Sequence, residues 1–99
     1  MGNNEEIAAR AARVLFANYK QQPIALVRGE GCYVWDADGR RYLDDIAGIA
    51  VSALGHCHPR LIAALEQQAH RIWHTANIVF SEPQVELAEL ITASCFAER

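Results

Sequence analysis

Ninety-nine residues, with 52% hydrophobic, 8% aromatic and 21% charged side chains, allow one small domain or a piece of a larger one. A formal net charge of -3 gives no basic face for generic nucleic-acid binding, and the apolar content excludes a disordered chain. Three cysteines cannot all pair, so a disulfide scaffold is excluded as well. Seventeen residues are alanine, which makes the large-residue core thinner than the apolar fraction suggests. A lone chain of this size buries only roughly 60–65% of its unfolded surface.

The first residues carry neither a basic stretch nor a long apolar run, and no secretory signal is expected. Ile46 to Leu54 is the longest nearly apolar stretch, far short of the ~20 residues of a membrane span. Cys32, Cys57 and Cys95 lie in separate segments without Cys-x-x-Cys spacing. Free thiols in a reducing, cytoplasmic setting are the expectation, with no membrane partner.

Asn3 or Asn4 is suited to cap a first helix, with Glu5 and Glu6 in its first turn. Ile7, Ala11, Val14, Leu15 and Asn18 fall on one face at helical spacing, and Pro23 is expected to end the helix. Residues 1–22 therefore form the first segment. The period then changes to two over 23–45. Ile24–Val27, Cys32–Trp35 and Arg40–Asp44 read as a three-stranded meander, with turns at Gly29-Glu30-Gly31 and Asp36-Ala37-Asp38-Gly39. Tyr33 and Trp35 share one face of the middle strand; Cys32 and Val34 share the other.

Residues 46–99 begin with Ile46 to Gly55, which fits neither strand alternation nor a helical stripe. It reads either as a buried connector or as a surface where small residues let a backbone or ligand approach. Pro59 opens the next helix, whose apolar stripe is Leu61, Ile62, Leu65, Ala69, Ile72 and Trp73. Thr75 to Phe80 reads as extended. Ser81-x-x-Gln84 has the form of a capping box and opens a last helix running to Phe96. The class is α+β: a helix, a three-stranded antiparallel meander, then two helices.

Candidate chemistry is sparse. His56, Cys57, His58, His70 and His74 are metal-ligand types, but the two groups are separated by about a helix length, roughly 20 Å. A turn sequence and two solvent-facing histidines explain them better. Asp36-x-Asp38-Gly39 lacks the further ligands of a calcium loop and reads as a hairpin turn. Gly29-x-Gly31 lacks the third glycine and helix of a dinucleotide site. Asp44 and Asp45 are adjacent, so in a strand they diverge and make a poor acid/base pair. The single lysine, Lys20, sits at the polar end of the first helix, not in the desolvated pocket that a Schiff base needs. The residues by themselves yield no catalytic residue and no metal site.

Ala25 to Asp44, Ala47-Gly-Ile-Ala-Val51, Leu54-Gly-His-Cys-His-Pro59, His74-Thr-Ala-Asn77 and Glu82 to Leu90 closely resemble the class III aminotransferases. The resemblance runs from about Val14 to Arg99, and within the class it is nearest the start of the bacterial acetylornithine type. It implies part of the small domain of a fold type I enzyme dependent on pyridoxal phosphate. It implies a homodimer that moves the terminal amino group of N-acetylornithine to 2-oxoglutarate in arginine biosynthesis. Succinylornithine, ornithine and 4-aminobutyrate types share much of the pattern.

Family members have roughly four times this length. The internal-aldimine lysine, the pyridinium aspartate, the phosphate cradle and the main carboxylate-binding arginine are expected beyond Arg99, so this chain alone is expected to bind no cofactor and to be inactive. The rest of the aminotransferase chain and a second subunit are its expected partners. A rival of another class is a non-catalytic interaction module of the same ancestry, which would be monodisperse at this length.

The resemblance carries over to four substrate positions. Tyr19 matches a tyrosine lining the substrate carboxylate pocket. Ile49 matches a position where ornithine enzymes place a tyrosine against the distal end of the substrate, and an aliphatic residue there fits a substrate with no free cationic α-amine. Gly48 and Val51 flank it on the same wall. Asn77 lies in a matched stretch and receives no role.

Overall fold

The computed structural model describes residues 2–95. Two compact units divide between Ala64 and Leu65.

The first unit holds α1 (Asn4–Val14), β1 (Leu26–Glu30), β2 (Tyr33–Asp36), β3 (Arg41–Leu43), the single turn α2 (Ala47–Ala50) and the start of α3 (Pro59–Ala69). Asn3 is the cap of α1: its side-chain oxygen accepts the Glu6 amide at 2.9 Å. The helix closes at Leu15, eight residues before Pro23, so the expected limit at Pro23 is corrected. Leu15 is already extended (φ -100°, ψ 145°), and the Asn18–Pro23 stretch carries no helix. Its alanine-rich face alone does not hold further turns, because a short helix gains most of its stability from packing.

The meander forms with the order β1-β2-β3, all antiparallel. Its first strand lies two to three residues later than expected, since Gly29 and Glu30 pair with Val34 and Tyr33 and do not turn. The turn falls instead at Gly31, where φ is 56°. A bulge between Leu26 and Arg28 absorbs the extra residue. Tyr33 and Trp35 do share a face. Arg28 stacks over the Trp35 ring at 3.6 Å, and Arg41 lies over Tyr33 at 4.7 Å. Val34 and Asp36 occupy the opposite face and are 6% and 2% exposed. Among the described residues Val34 is the one buried apolar side chain, and large apolar side chains from Phe16 to Ile91 remain exposed.

A buried carboxylate is costly unless its oxygens are satisfied. Those of Asp36 accept from the Asp38 and Arg40 amides, from Tyr42 Oη at 2.7 Å and from Asn4 Nδ2 at 3.0 Å. Burial raises its pKa, but these donors outweigh burial and hold the carboxyl below its ordinary range. Asn4 also accepts the Ala25 amide through Oδ1, which ties α1 to the sheet. Asp36 and Asp38 are thus clamp residues of a hairpin turn, with Gly39 at φ 85°.

The second unit holds the rest of α3 and α4 (Glu82–Ser94). Here α3 stops at Ala69, short of Ile72 and Trp73, which were expected to extend its stripe. Trp73 folds back to donate its indole N–H to the Ala69 carbonyl at 2.8 Å. Residues 77–79 form a turn, with the Val79 amide donating to Ala76, in place of the expected extended piece. Ser81 stands at the cap position of α4, yet its hydroxyl makes no cap bond, so the capping box does not form. Phe96, the expected last helical residue, lies outside the described residues.

Candidate functional site

The site grows from the end of β3. The Asp44 amide donates to the Cys32 carbonyl at 2.8 Å, which fixes its backbone to the β1–β2 turn. Its side chain then reaches forward. Oδ1 accepts the amides of Ile46 (3.2 Å) and Ala47 (2.9 Å), an Asx-type turn. Oδ2 meets His56 Nε2 at 2.6 Å. Hydrogen bonds from Ala47 and His56 lower the Asp44 pKa against partial burial. An ionised carboxylate only accepts, so Nε2 of His56 carries the proton.

Beyond Asp44 the chain makes one left-handed turn. Ala47, Gly48, Ile49 and Ala50 all have positive φ, at 50°, 67°, 63° and 60°. The Ala50 amide donates to the Ile46 carbonyl and the Val51 amide to the Ala47 carbonyl, at 3.0 and 2.8 Å. Left-handed helical geometry costs an L-residue about 1–2 kcal/mol, and most for a β-branched one. Three of these four residues are not glycine. Strain of this kind persists only where the surroundings over-determine it, and it concentrates at functional positions.

The expected wall residues sit on this turn and project outward. Ile49 is 86% exposed and Val51 75% exposed, with Gly48 between Ala47 and Ile49 at φ 67°. Within this chain Ile46, Ile49, Val51 and Leu54 all face outward and leave an apolar surface, as expected of this segment without a partner. Tyr19 lies elsewhere. It is 80% exposed and lines a cleft of about 750 Å³ with Ile7, Ala11, Leu15 and Pro23. Gly48, Ile49 and Val51 do not line that cleft.

Two glycines let the Asp44–His56 contact form. A Cβ on Gly29 would stand 2.7 Å from His56 Cβ and Cγ. A Cβ on Gly55 would stand 2.9 Å from the Gly31 carbonyl oxygen. Only bare backbone allows the two-way amide bridge between Gly31 and His56, at 3.0 and 2.8 Å. Sequence reasoning weighed Asp44 only beside Asp45, His56 only as a metal ligand and Gly29 only as part of a dinucleotide loop, and did not connect Asp44 to His56. The one local signal was an aspartate two and three residues ahead of a small-residue run, an Asx-turn pattern.

The remaining histidine and cysteine candidates resolve into structural roles or exposure. His58 Nδ1 accepts the Arg60 amide at 3.1 Å, at the start of α3. Among the described residues no group of three or more His, Cys, Asp or Glu side chains is placed to hold a metal. Cys32, Cys57 and Cys95 are exposed free thiols. Among the described residues no helix is long and apolar enough to cross a membrane.

Pyridoxal phosphate needs a lysine in a desolvated pocket and donors for its phosphate. Lys20 is exposed, so these residues do not fit the cofactor on their own.

Known proteins give this geometry a context. An acetylornithine aminotransferase of Xylella fastidiosa is 57% identical over 82 residues, which is 82% of this chain and 20% of that protein. The crystal structure of N-acetylornithine aminotransferase from Stenotrophomonas maltophilia K279a is 46% identical with a TM-score of 0.76, over 92% of this chain and 24% of that one. The ornithine aminotransferase of Toxoplasma gondii is 30% identical with a TM-score of 0.91, over all of this chain and 23% of that one. The chain thus spans about a fifth of the length of the curated relatives it matches. Its α+β arrangement is a fragment of the fold those structures share. Residues 15–99 match the family model for class III aminotransferases, and the chain belongs to that family.

Proposed function

We propose that this chain is the N-terminal segment of an acetylornithine-type aminotransferase. The full-length enzyme moves the terminal amino group of N-acetylornithine to 2-oxoglutarate, in arginine biosynthesis. It works as a cytoplasmic homodimer, and the pyridoxal phosphate it binds supplies the carbanion chemistry. In this reading the segment forms part of the small domain and a substrate wall of Gly48, Ile49 and Val51, with Tyr19 donating to the substrate carboxylate. The cofactor lysine lies in the rest of the chain, and the 99 residues alone are inactive.

One observation carries the reading: the strained left-handed turn places an aliphatic side chain, Ile49, at its centre. A hydrocarbon wall leaves a charged α-amine without a partner and tolerates a neutral acyl amide far better. The names of the relatives support the same substrate class. The likeness to an ornithine aminotransferase favours ornithine as a second donor class. Ile49 argues against it.

Two assays test the reading. The 99-residue chain with added pyridoxal phosphate should give neither an internal-aldimine absorbance band nor transamination. The full-length enzyme should use N-acetylornithine in preference to ornithine. A band on the short chain, or a preference for ornithine, overturns the corresponding half.

A further inference from the structure

We infer that Asp44 and His56 are positioning residues that hold the Ala47–Ala50 turn left-handed and thereby set how the enzyme discriminates between amino donors. The inference rests on the reading of Ile49 as a substrate wall.

Four facts converge on this pair. The turn has positive φ at four successive residues, three of them non-glycine, so its own two amide bonds work against backbone strain. Its first two free amides, Ile46 and Ala47, are both taken by Asp44 Oδ1. The other oxygen of the same carboxylate is held by His56 at 2.6 Å. His56 is in turn fixed by two backbone bonds to Gly31 and by packing on Gly29, whose missing Cβ makes the room. The strap therefore runs from the sheet through Gly29, Gly31 and His56 to Asp44, and from Asp44 to the turn. Asp44 touches no substrate in this account. It acts through Ile49, whose direction depends on the handedness of the turn.

The experiment uses the full-length aminotransferase. Two readouts are taken on wild type, Asp44→Ala, Asp44→Asn and His56→Ala. One is the ratio of kcat/KM for N-acetylornithine over ornithine. The other is amide hydrogen exchange at Ala50 and Val51, which does not depend on catalysis. Asp44→Ala should speed exchange at both amides at least tenfold and lower the ratio at least fivefold. Asp44→Asn keeps an acceptor at Oδ1 for the two turn amides, and His56 meets the new Nδ2 donor by shifting its proton to Nδ1, so both readouts should stay within about threefold. His56→Ala should fall between them, and it serves if Asp44→Ala fails to fold. Exchange unchanged in Asp44→Ala or His56→Ala, or an equal loss of activity toward both donors, overturns the inference. A wild-type enzyme that does not discriminate the two donors overturns the substrate reading and the donor half of the inference, while exchange still decides whether the pair holds the turn.

Discussion

His56 Nε2 lies 2.6 Å from Asp44 Oδ2, across twelve residues of chain, and the whole left-handed segment that presents Ile49 is spanned by that one contact. Their effect is geometric: one carboxylate holds the start of a strained turn with one oxygen and the far side of the loop with the other.

Acid should loosen this arrangement in a defined window. Hydrogen bonds depress the Asp44 pKa below its ordinary 3.8. A depressed carboxylate contributes stability that is complete above the unfolded pKa and lost as pH falls through the folded one. The Ile46 and Ala47 amide resonances should therefore be constant above about pH 5 and titrate together with a midpoint below 3.8. A midpoint above 3.8 contradicts the hydrogen-bond assignment.

Ile49→Gly should stabilise the protein and impair its selectivity. Glycine removes the left-handed penalty, worth about 1–2 kcal/mol, offset in part by the greater freedom of the unfolded chain. The midpoint of thermal unfolding should rise while the preference for N-acetylornithine over ornithine falls. A lower midpoint would mean that Ile49 gains more from packing than it loses in strain.

The two glycines should fail for different reasons. Gly29→Ala drives a Cβ to 2.7 Å from His56 and should destabilise by about 1–3 kcal/mol. Gly31→Ala meets nothing within 4 Å and carries only the left-handed penalty of its φ of 56°, about 1–2 kcal/mol. Denaturant titration measures both losses, and the His56 ring resonances should shift in Gly29→Ala but not in Gly31→Ala; unshifted resonances in Gly29→Ala contradict the packing of His56 on Gly29.

Two helix starts make a further contrast. Asn3→Ala removes a bonded cap and should weaken the first turn of α1 by about 1 kcal/mol, roughly a fivefold faster exchange at the Glu6 amide. Ser81→Ala removes a hydroxyl that makes no cap bond and should leave exchange at Val85 within about twofold. Equal effects at the two sites would contradict the difference in capping.

These contrasts show where the sequence was readable. A cap at Asn3 or Asn4, Pro59 at the start of α3 and the shared face of Tyr33 and Trp35 follow from local rules, and the structure has all three, with the cap at Asn3. The hairpin turn at Gly39 belongs with them. The end of α1 was misplaced because Pro23 is a strong stop, while the earlier loss of helix at Leu15 reflects scarce tertiary packing. Ser81-x-x-Gln84 had the right letters and no hydroxyl bond. The left-handed turn was out of reach. Ala-Gly-Ile-Ala contains one glycine, and its conformation is held by His56, a residue local patterns cannot connect to it. Motif likeness put Gly48, Ile49 and Val51 on the substrate wall, and their geometry came only from the structure.

The most direct measurement is the ratio of kcat/KM for N-acetylornithine over ornithine, each with 2-oxoglutarate as acceptor, in the full-length enzyme and in its Ile49→Tyr variant. The ratio should stand well above one and drop at least tenfold in the variant. A wild-type ratio at or below one, or a ratio that Ile49→Tyr leaves unchanged, would contradict it.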